Sequence, residues 1–338
     1  MTRRLILYCT RNKMSKLLII RFSALGDVAM LVPMIENLAN IYPNLSITIL
    51  SRQQVAPLFA NMPDNVQFFG ADLRGRHKGR KGMNRLLQDI DYQQFDAVAD
   101  MHDVLRSKYL CMRFRVIGKQ VSVMQKGRIS KFLLIKKHNF SPSLPSTIER
   151  YQDVLQRLGL SIQLHPQQNN GGERIGIGIA PFAAHKGKIY PLEKMEEVVR
   201  LLSNDGEPIY LFGAGQQEQT LLEQWAVTYP NVTSLAGKQD MAKEIAIMRG
   251  LRLMVTMDSA NMHLASIAGT RVLSIWGATH PAAGFLGYGQ SESDCIQRDL
   301  PCRPCSVYGN KPCQYGDYHC LDIAPEDIVK RITQALCK

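Results

Sequence analysis

One pattern constrains this chain more than any other: short apolar runs of strand character alternate with amphipathic helical stretches, and the alternation happens twice. In the first half the strand signals fall at 17–21, 46–50, 66–69 and 97–100, with helical patterns at 28–41, 53–60, 80–91 and 146–159. In the second half strands are expected at 175–180, 208–212, 232–235, 253–256 and 272–276, separated by helices at 192–204, 216–228, 240–249 and 259–268. A polar, Gly-ending stretch, HPQQNNGG at 165–172, divides the two series as a linker does. Such alternation means parallel sheets with helices on both faces. The expected fold class is therefore α/β, with two doubly wound parallel-sheet domains at 14–164 and 173–338. Residues 1–13 read as a loose extension ahead of Met14, with no secretory leader pattern. An amphipathic segment, IAPEDIVKRITQAL, closes the chain and is free to pack on either domain.

Open parallel sheets bind ligands beyond the carboxyl ends of their strands, so the residues that follow strands carry the functional signal. The first such segment, Arg21-Phe22-Ser23-Ala24-Leu25-Gly26-Asp27, leads into a helix. Gly26 permits a tight turn and the close approach of a ligand. Asp27 is either a helix cap or a general base that takes a proton from an attacking hydroxyl. A second segment, Gly178 to Pro191, brings small residues and then Lys188 to a helix start, a place that favours a phosphate. The third, Thr256-Met257-Asp258-Ser259-Ala260-Asn261-Met262-His263, puts Asp258 and Ser259 at the next helix start, with His263 four residues after Ser259 on the same helix. A Gly-hinged loop, Trp276 to Pro281, follows the next strand.

Charge is divided unevenly. Residues 1–170 hold 25 Lys/Arg against 11 Asp/Glu, whereas residues 171–338 hold 16 against 18, so the net +12 belongs to the first half. That half is expected to meet something anionic: nucleic acid, an acidic membrane face or a phosphorylated substrate. No apolar run is long enough for a membrane span. Of eight cysteines, Cys302, Cys305, Cys313 and Cys320 lie close together in a CRPC-led stretch. Their candidate roles are a structural zinc site, buried free thiols or a redox-labile pair.

Together these motifs resemble glycosyltransferase family 9, the ADP-heptose:lipopolysaccharide heptosyltransferases, from about Lys16 to the C-terminus. The resemblance rests on RFSALGD at 21–27, DMHDVLRS at 100–107, the Lys188 loop ending in KIYP, FGAGQQE at 212–218, MDSANMHLA at 257–265 and WGATHP at 276–281. It implies a GT-B fold, with the acceptor held by the first domain and the nucleotide-sugar by the second. The implied reaction is inverting transfer of heptose from ADP-heptose to the inner core of lipopolysaccharide, with no cofactor required. Asp27 matches the base. Arg21 and Arg106 match basic positions near the acceptor, Lys188 the donor-phosphate lysine, Glu218 a ribose-binding glutamate, and Asp258, Ser259 and Ala260 the diphosphate-binding segment, with His263 beside them. Ala24, Ala260 and His280 depart from the common family residues.

A single inverting displacement needs a base on one wall and charge stabilisation on the other, and Asp27 and Lys188 fall in different halves. The basic half then has a reason in the phosphates and Kdo carboxylates of a lipid acceptor at the cytoplasmic leaflet. Arg74, Arg76, His77, Lys78, Arg80, Lys81 and Arg85 form one basic cluster, and Lys126, Arg128, Lys131, Lys136 and Lys137 a second. The expected location is cytoplasmic and peripheral to the inner membrane. Rival readings are a GT-B transferase or epimerase using another nucleotide-sugar, a nucleotide-binding regulatory module, and a nucleic-acid-binding protein. The last is disfavoured because residues 74–85 contain no aromatic side chain for base stacking.

Overall fold

In the first strand, β1 (Lys16–Ile20), the run LLII is buried without alternation, as a strand covered on both faces requires. The computed structural model describes residues 14–138, 140–164 and 173–337, so the expected extension at 1–13 and the linker at 165–172 lie outside the described residues. After β1 come α1 (Leu25–Ala29), α2 (Leu31–Ile41), β2 (Ser46–Arg52), β3 (Val66–Ala71), α3 (Gly79–Asp89) and β4 (Ala97–Asp100). The half is completed by α4 (Leu105–Val116), β5 (Gln120–Val123), α5 (Arg128–Lys137) and α6 (Thr147–Gln156). Its five strands are all parallel, in the order β3-β2-β1-β4-β5.

The second half runs β6 (Ile177–Ala180), α7 (Leu192–Ser203), β7 (Ile209–Leu211), α8 (Gln216–Thr228), β8 (Val232–Ser234), α9 (Met241–Arg249) and β9 (Leu253–Met257). It ends with α10 (Ala260–Ile267), β10 (Val272–Trp276), β11 (Cys295–Gln297) and α11 (Pro325–Leu336). Six parallel strands follow the order β11-β10-β9-β6-β7-β8. In each sheet the chain builds outward on one side of its first strand and then returns to the other side. The reversal falls between β1 and β4 in the first sheet and between β6 and β9 in the second, which is where crevices open at carboxyl edges. The motifs after those four strands are thereby gathered.

The sequence pattern found nine of the eleven strands among the described residues. It missed β5 and β11, both edge strands, one only partly buried and one of three residues. It also missed α4 and α5, whose apolar residues do not sort to one buried face. The expected helix at 28–41 divides at Met30 into α1 and α2, and the one at 53–60 is a 3₁₀ segment carrying Pro57. Helix α11 packs on the second half, burying Ile328, Ile332 and Ala335 in the cluster that holds Met195 and Val199 of α7.

One apolar cluster crosses from half to half. It joins Val28, Ala29 and Met34 to Met262, Leu264 and Ala265, so α1 and α10 meet at the centre of the molecule. A strap from the first half reinforces the contact: Leu144 N donates to Ala282 O at 2.8 Å, and the Phe140 ring stacks on His280 at 4.0 Å.

Candidate active site

A cavity of about 670 Å³ lies where the two carboxyl edges face each other. The first half contributes Ala24 to Asp27; the second contributes Phe182 to His185 and Lys188, then Gly213, Ala214 and Glu218, then Asp258 to Asn261 with His263. Asp27, Lys188, Glu218, Asp258, Ser259, Ala260 and His263 thus share one cavity, as expected from their places after strands. A second depression, of about 740 Å³, runs along α8 past Gln216, Thr220 and Lys238 and holds none of these residues.

On the first wall, Asp27 Oδ2 pairs with an Arg21 guanidinium nitrogen at 2.5 Å and accepts from Ala24 N at 3.2 Å. Both contacts fall on Oδ2, and Asp27 lines the cavity. Asp27 occupies the third helical position of α1 and returns to the capping residue's N–H, so the candidate base also serves as a cap. Tyr151 of α6 holds the backbone beneath it, donating to Asp27 O at 2.9 Å.

The expected acceptor role of Arg21 needs correction. Its guanidinium is buried outside the cavity lining, donates to Met101 O, pairs with Asp27 and lies over the Tyr151 ring, so it orients the carboxylate, while its Nε has no partner. Behind it, His102 accepts from Phe22 N at 3.3 Å through Nδ1. Burial, reinforced by the Arg21 charge, pushes the His102 imidazole down to about 3.

Across the cavity, Lys188 Nζ lies 2.7 Å from Asp258 Oδ2, and Thr279 Oγ1 donates to the same oxygen at 2.7 Å. Asp258 is therefore a buried carboxylate with partners, the arrangement that makes its burial tolerable. Ser259 stands at the capping position of α10, yet its hydroxyl makes no capping bond and is buried without a partner. The first N–H groups of α10 consequently open toward the cavity, where the helix dipole favours an anion. Glu218 Oε2 accepts from Ala214 N at 2.7 Å, which fixes the loop after β7. Its sequence neighbours Gln217 and Gln219 do not line this cavity.

Gly26 lines the cavity and also packs against the other half. A Cβ there would lie 2.4 Å from His263 Cδ2, so the small residue makes room for an imidazole from the other half. Burial lowers the His263 pKa against the opposing pull of Asp27 and Asp258, and its Nδ1 has no partner.

Several contributors escaped the sequence reading. Arg303, between two of the clustered cysteines, is buried and donates to Gly277 O at 2.5 Å and Thr279 O at 2.8 Å, pinning the loop that holds Asp258. Glu244 of α9 lines the cavity; burial, helped by Asp240, pushes its carboxyl up to about 7. Phe285 and Tyr308 line it as well. Nothing in a helical run such as MAKEIAIMR or in an isolated aromatic announces these positions.

The basic residues are partly reassigned. Arg74, Arg80, Arg106 and Arg128 are exposed and follow β3, β4 and β5, which sets them along the carboxyl edge of the first sheet but not in the cavity. Arg76 and His77 share Asp89, at 2.7 Å and 2.9 Å, so that part of the first cluster is neutralised. Lys131 is not a surface charge: it is buried, with Nζ 4.1 Å from the Phe285 ring centroid, and burial pushes it down to about 8. As for zinc, the described residues contain no group of three or more His, Cys, Asp or Glu side chains arranged to hold a metal ion, and Cys302, Cys305, Cys313 and Cys320 are free thiols.

The profile of Glycosyltransferase family 9 (heptosyltransferase) matches residues 83–316. Among curated relatives, a lipopolysaccharide core heptosyltransferase OpsX of Haemophilus influenzae is 21% identical, covering 78% of this chain and 80% of the relative. A lipooligosaccharide heptosyltransferase 2 of the same species is 24% identical, covering 95% and 99%. The fold is shared with a family 9 glycosyl transferase from Veillonella parvula, at a TM-score of 0.73 and 18% identity over 96% of this chain and 97% of that one. It is also shared with E. coli heptosyltransferase WaaC solved with ADP, at 0.68 and 17% over 95% and 99%. With two parallel-sheet domains in the GT-B arrangement and the family profile over most of its length, this chain is a glycosyltransferase and belongs to glycosyltransferase family 9.

Proposed function

We propose that the protein transfers heptose from ADP-heptose to the inner core of lipopolysaccharide, Kdo-lipid A or its heptosylated form, with inversion at the anomeric carbon. The observation that carries this reading is the placement of Asp27 and Lys188 on opposite walls of one cavity. Asp27, held by Arg21 through Oδ2 and partly exposed, takes the proton of the acceptor hydroxyl as that oxygen attacks the anomeric carbon. The bond to the diphosphate breaks on the far side. There the open N-terminus of α10, the free Ser259 hydroxyl and Lys188 receive the developing negative charge. Glu218 is placed for the ribose hydroxyls and Asp258 for those of the sugar, while His263 fills the joint between the walls. Arg74, Arg80, Arg106 and Arg128 offer the edge of the first sheet to acceptor phosphates and carboxylates.

A lipid-anchored acceptor brings the basic half to the anionic cytoplasmic leaflet, and we infer peripheral association there. No helix among the described residues is long and apolar enough to cross a membrane. The test is to incubate purified protein with a panel of nucleotide-sugars and Kdo-lipid A and read the lipid by mass spectrometry. A one-heptose mass gain with ADP-heptose is expected; a gain with a different nucleotide-sugar alone would refute the donor assignment.

A further inference from the structure

Helices α4 and α5 break the rule that a surface helix turns its apolar face inward. Among the described residues eleven large apolar side chains are exposed, and six of them stand on these two helices. On α4 they are Leu105, Met112 and Val116, spaced by seven and four residues, so they fall in one stripe of a helix with 3.6 residues per turn. On α5 they are Ile129, Phe132 and Leu133, at spacings of three and four, again one stripe. Leu105 is 88% exposed and Ile129 77%, values that leave both side chains almost wholly in water.

The two helices begin side by side. Asp103, between β4 and α4, pairs with Lys108 of α4 at 3.2 Å and Arg128 of α5 at 3.7 Å, and its carbonyl accepts from Lys126 at 2.9 Å. The start of α4 is thereby tied to the start of α5. Neither helix contains an acidic residue, and together they carry eight Lys/Arg, of which Lys131 alone is buried. Apolar stripes flanked by cations, on two helices whose nearest carboxylate, Asp103, is already paired with Lys108 and Arg128, are complementary to a bilayer whose surface is anionic and whose interior accepts hydrocarbon.

We propose that this α4–α5 face docks on an anionic lipid bilayer, inserting Leu105, Ile129 and Phe132 between headgroups while the flanking Arg and Lys side chains pair with phosphates. The proposal rests on the membrane-borne acceptor inferred above and changes its physical basis. The exposed charges of residues 74–85 act at most as electrostatic attraction, which salt removes. The α4–α5 stripes add a hydrophobic contribution that salt leaves in place.

The full chain is sedimented with vesicles of phosphatidylethanolamine and phosphatidylglycerol, and with vesicles of phosphatidylcholine alone, at low and high salt. Wild type is expected to bind the anionic vesicles and to retain part of that binding at high salt. The triple variant Leu105→Ser/Ile129→Ser/Phe132→Ser is expected to lose about tenfold or more in partitioning. It should keep its melting temperature and its turnover on a detergent-dispersed acceptor. The proposal is overturned if wild type ignores anionic vesicles, if the variant binds them as wild type does, or if the substitutions dissociate a dimer, which would make this face a contact between copies. Failure of transfer by both proteins on the dispersed acceptor would instead defeat the functional reading, and vesicle binding remains measurable independently of it.

Discussion

The cavity has an acid–cation pair on each wall, and the two pairs are built in opposite senses. In the first half the cation is buried and the acid is open: the Arg21 side chain is 6% exposed and Asp27 27%. In the second half the order reverses, with Asp258 at 5% and Lys188 at 16%. Each wall therefore leaves one charge more reachable than the other. The wall of the first half offers a carboxylate suited to receiving a proton, and that of the second offers an ammonium suited to receiving negative charge. The chemistry depends on which member of each pair is left reachable rather than on which residues are present.

This comparison is most easily broken at the open carboxylate. Asp27→Asn keeps the shape but leaves buried Arg21 without its counter-charge, so kcat should fall by the ~10²–10⁴-fold of a lost general base and the melting temperature should drop, while the circular dichroism spectrum of the folded protein stays close to wild type. Lys188→Met comes next. It should cost about 10²-fold in kcat and weaken donor binding. It also leaves Asp258 short of its partner, at about 3 kcal/mol of stability in denaturant titration. Adding Asp258→Asn to Lys188→Met should recover most of that stability and none of the activity, which separates structural pairing from function. Arg303→Met should lower stability by about 2–4 kcal/mol, because the carbonyls of Gly277 and Thr279 lose buried donors, with a smaller fall in kcat through Asp258.

The smallest effects are those of pH, and they should carry opposite signs in the two halves. His102 titrates at about 3 when folded against an ordinary 6.5, so on acidification the unfolded chain takes up the proton first. Its contribution to stability is whole above about pH 6.5 and is lost toward pH 3. Glu244 titrates at about 7 against an ordinary 4.5, so between those values the unfolded chain ionises first and stability falls as pH rises. Partial exposure limits the Glu244 effect to about 1–2 kcal/mol. Melting curves across this range should show the alkaline slope flatten in Glu244→Gln and the acid slope flatten in His102→Asn.

How far the site could be read in advance follows from what each residue needs. Asp27, Lys188 and Asp258 sit directly after buried strands, and strand burial leaves a strong sequence pattern, so the turn after each strand is readable. Partnership leaves no such trace. That Arg21 holds Asp27, that Gly26 makes room for His263, and that Lys131 is buried under Phe285 are contacts across long sequence separations, invisible to local periodicity. Arg303 was hidden for a further reason: its flanking cysteines supplied a stronger expectation than the arginine itself. The exposed stripes of α4 and α5 defeated helix recognition because that method assumes an inward apolar face.

If the walls act on a single displacement, with attack from the Asp27 side and departure toward Lys188, the sugar must change anomeric configuration once. Nuclear magnetic resonance of the glycosidic linkage formed from ADP-heptose of known configuration tests this directly. The account predicts a product with the anomeric configuration inverted; a product that retains the donor's configuration would contradict it.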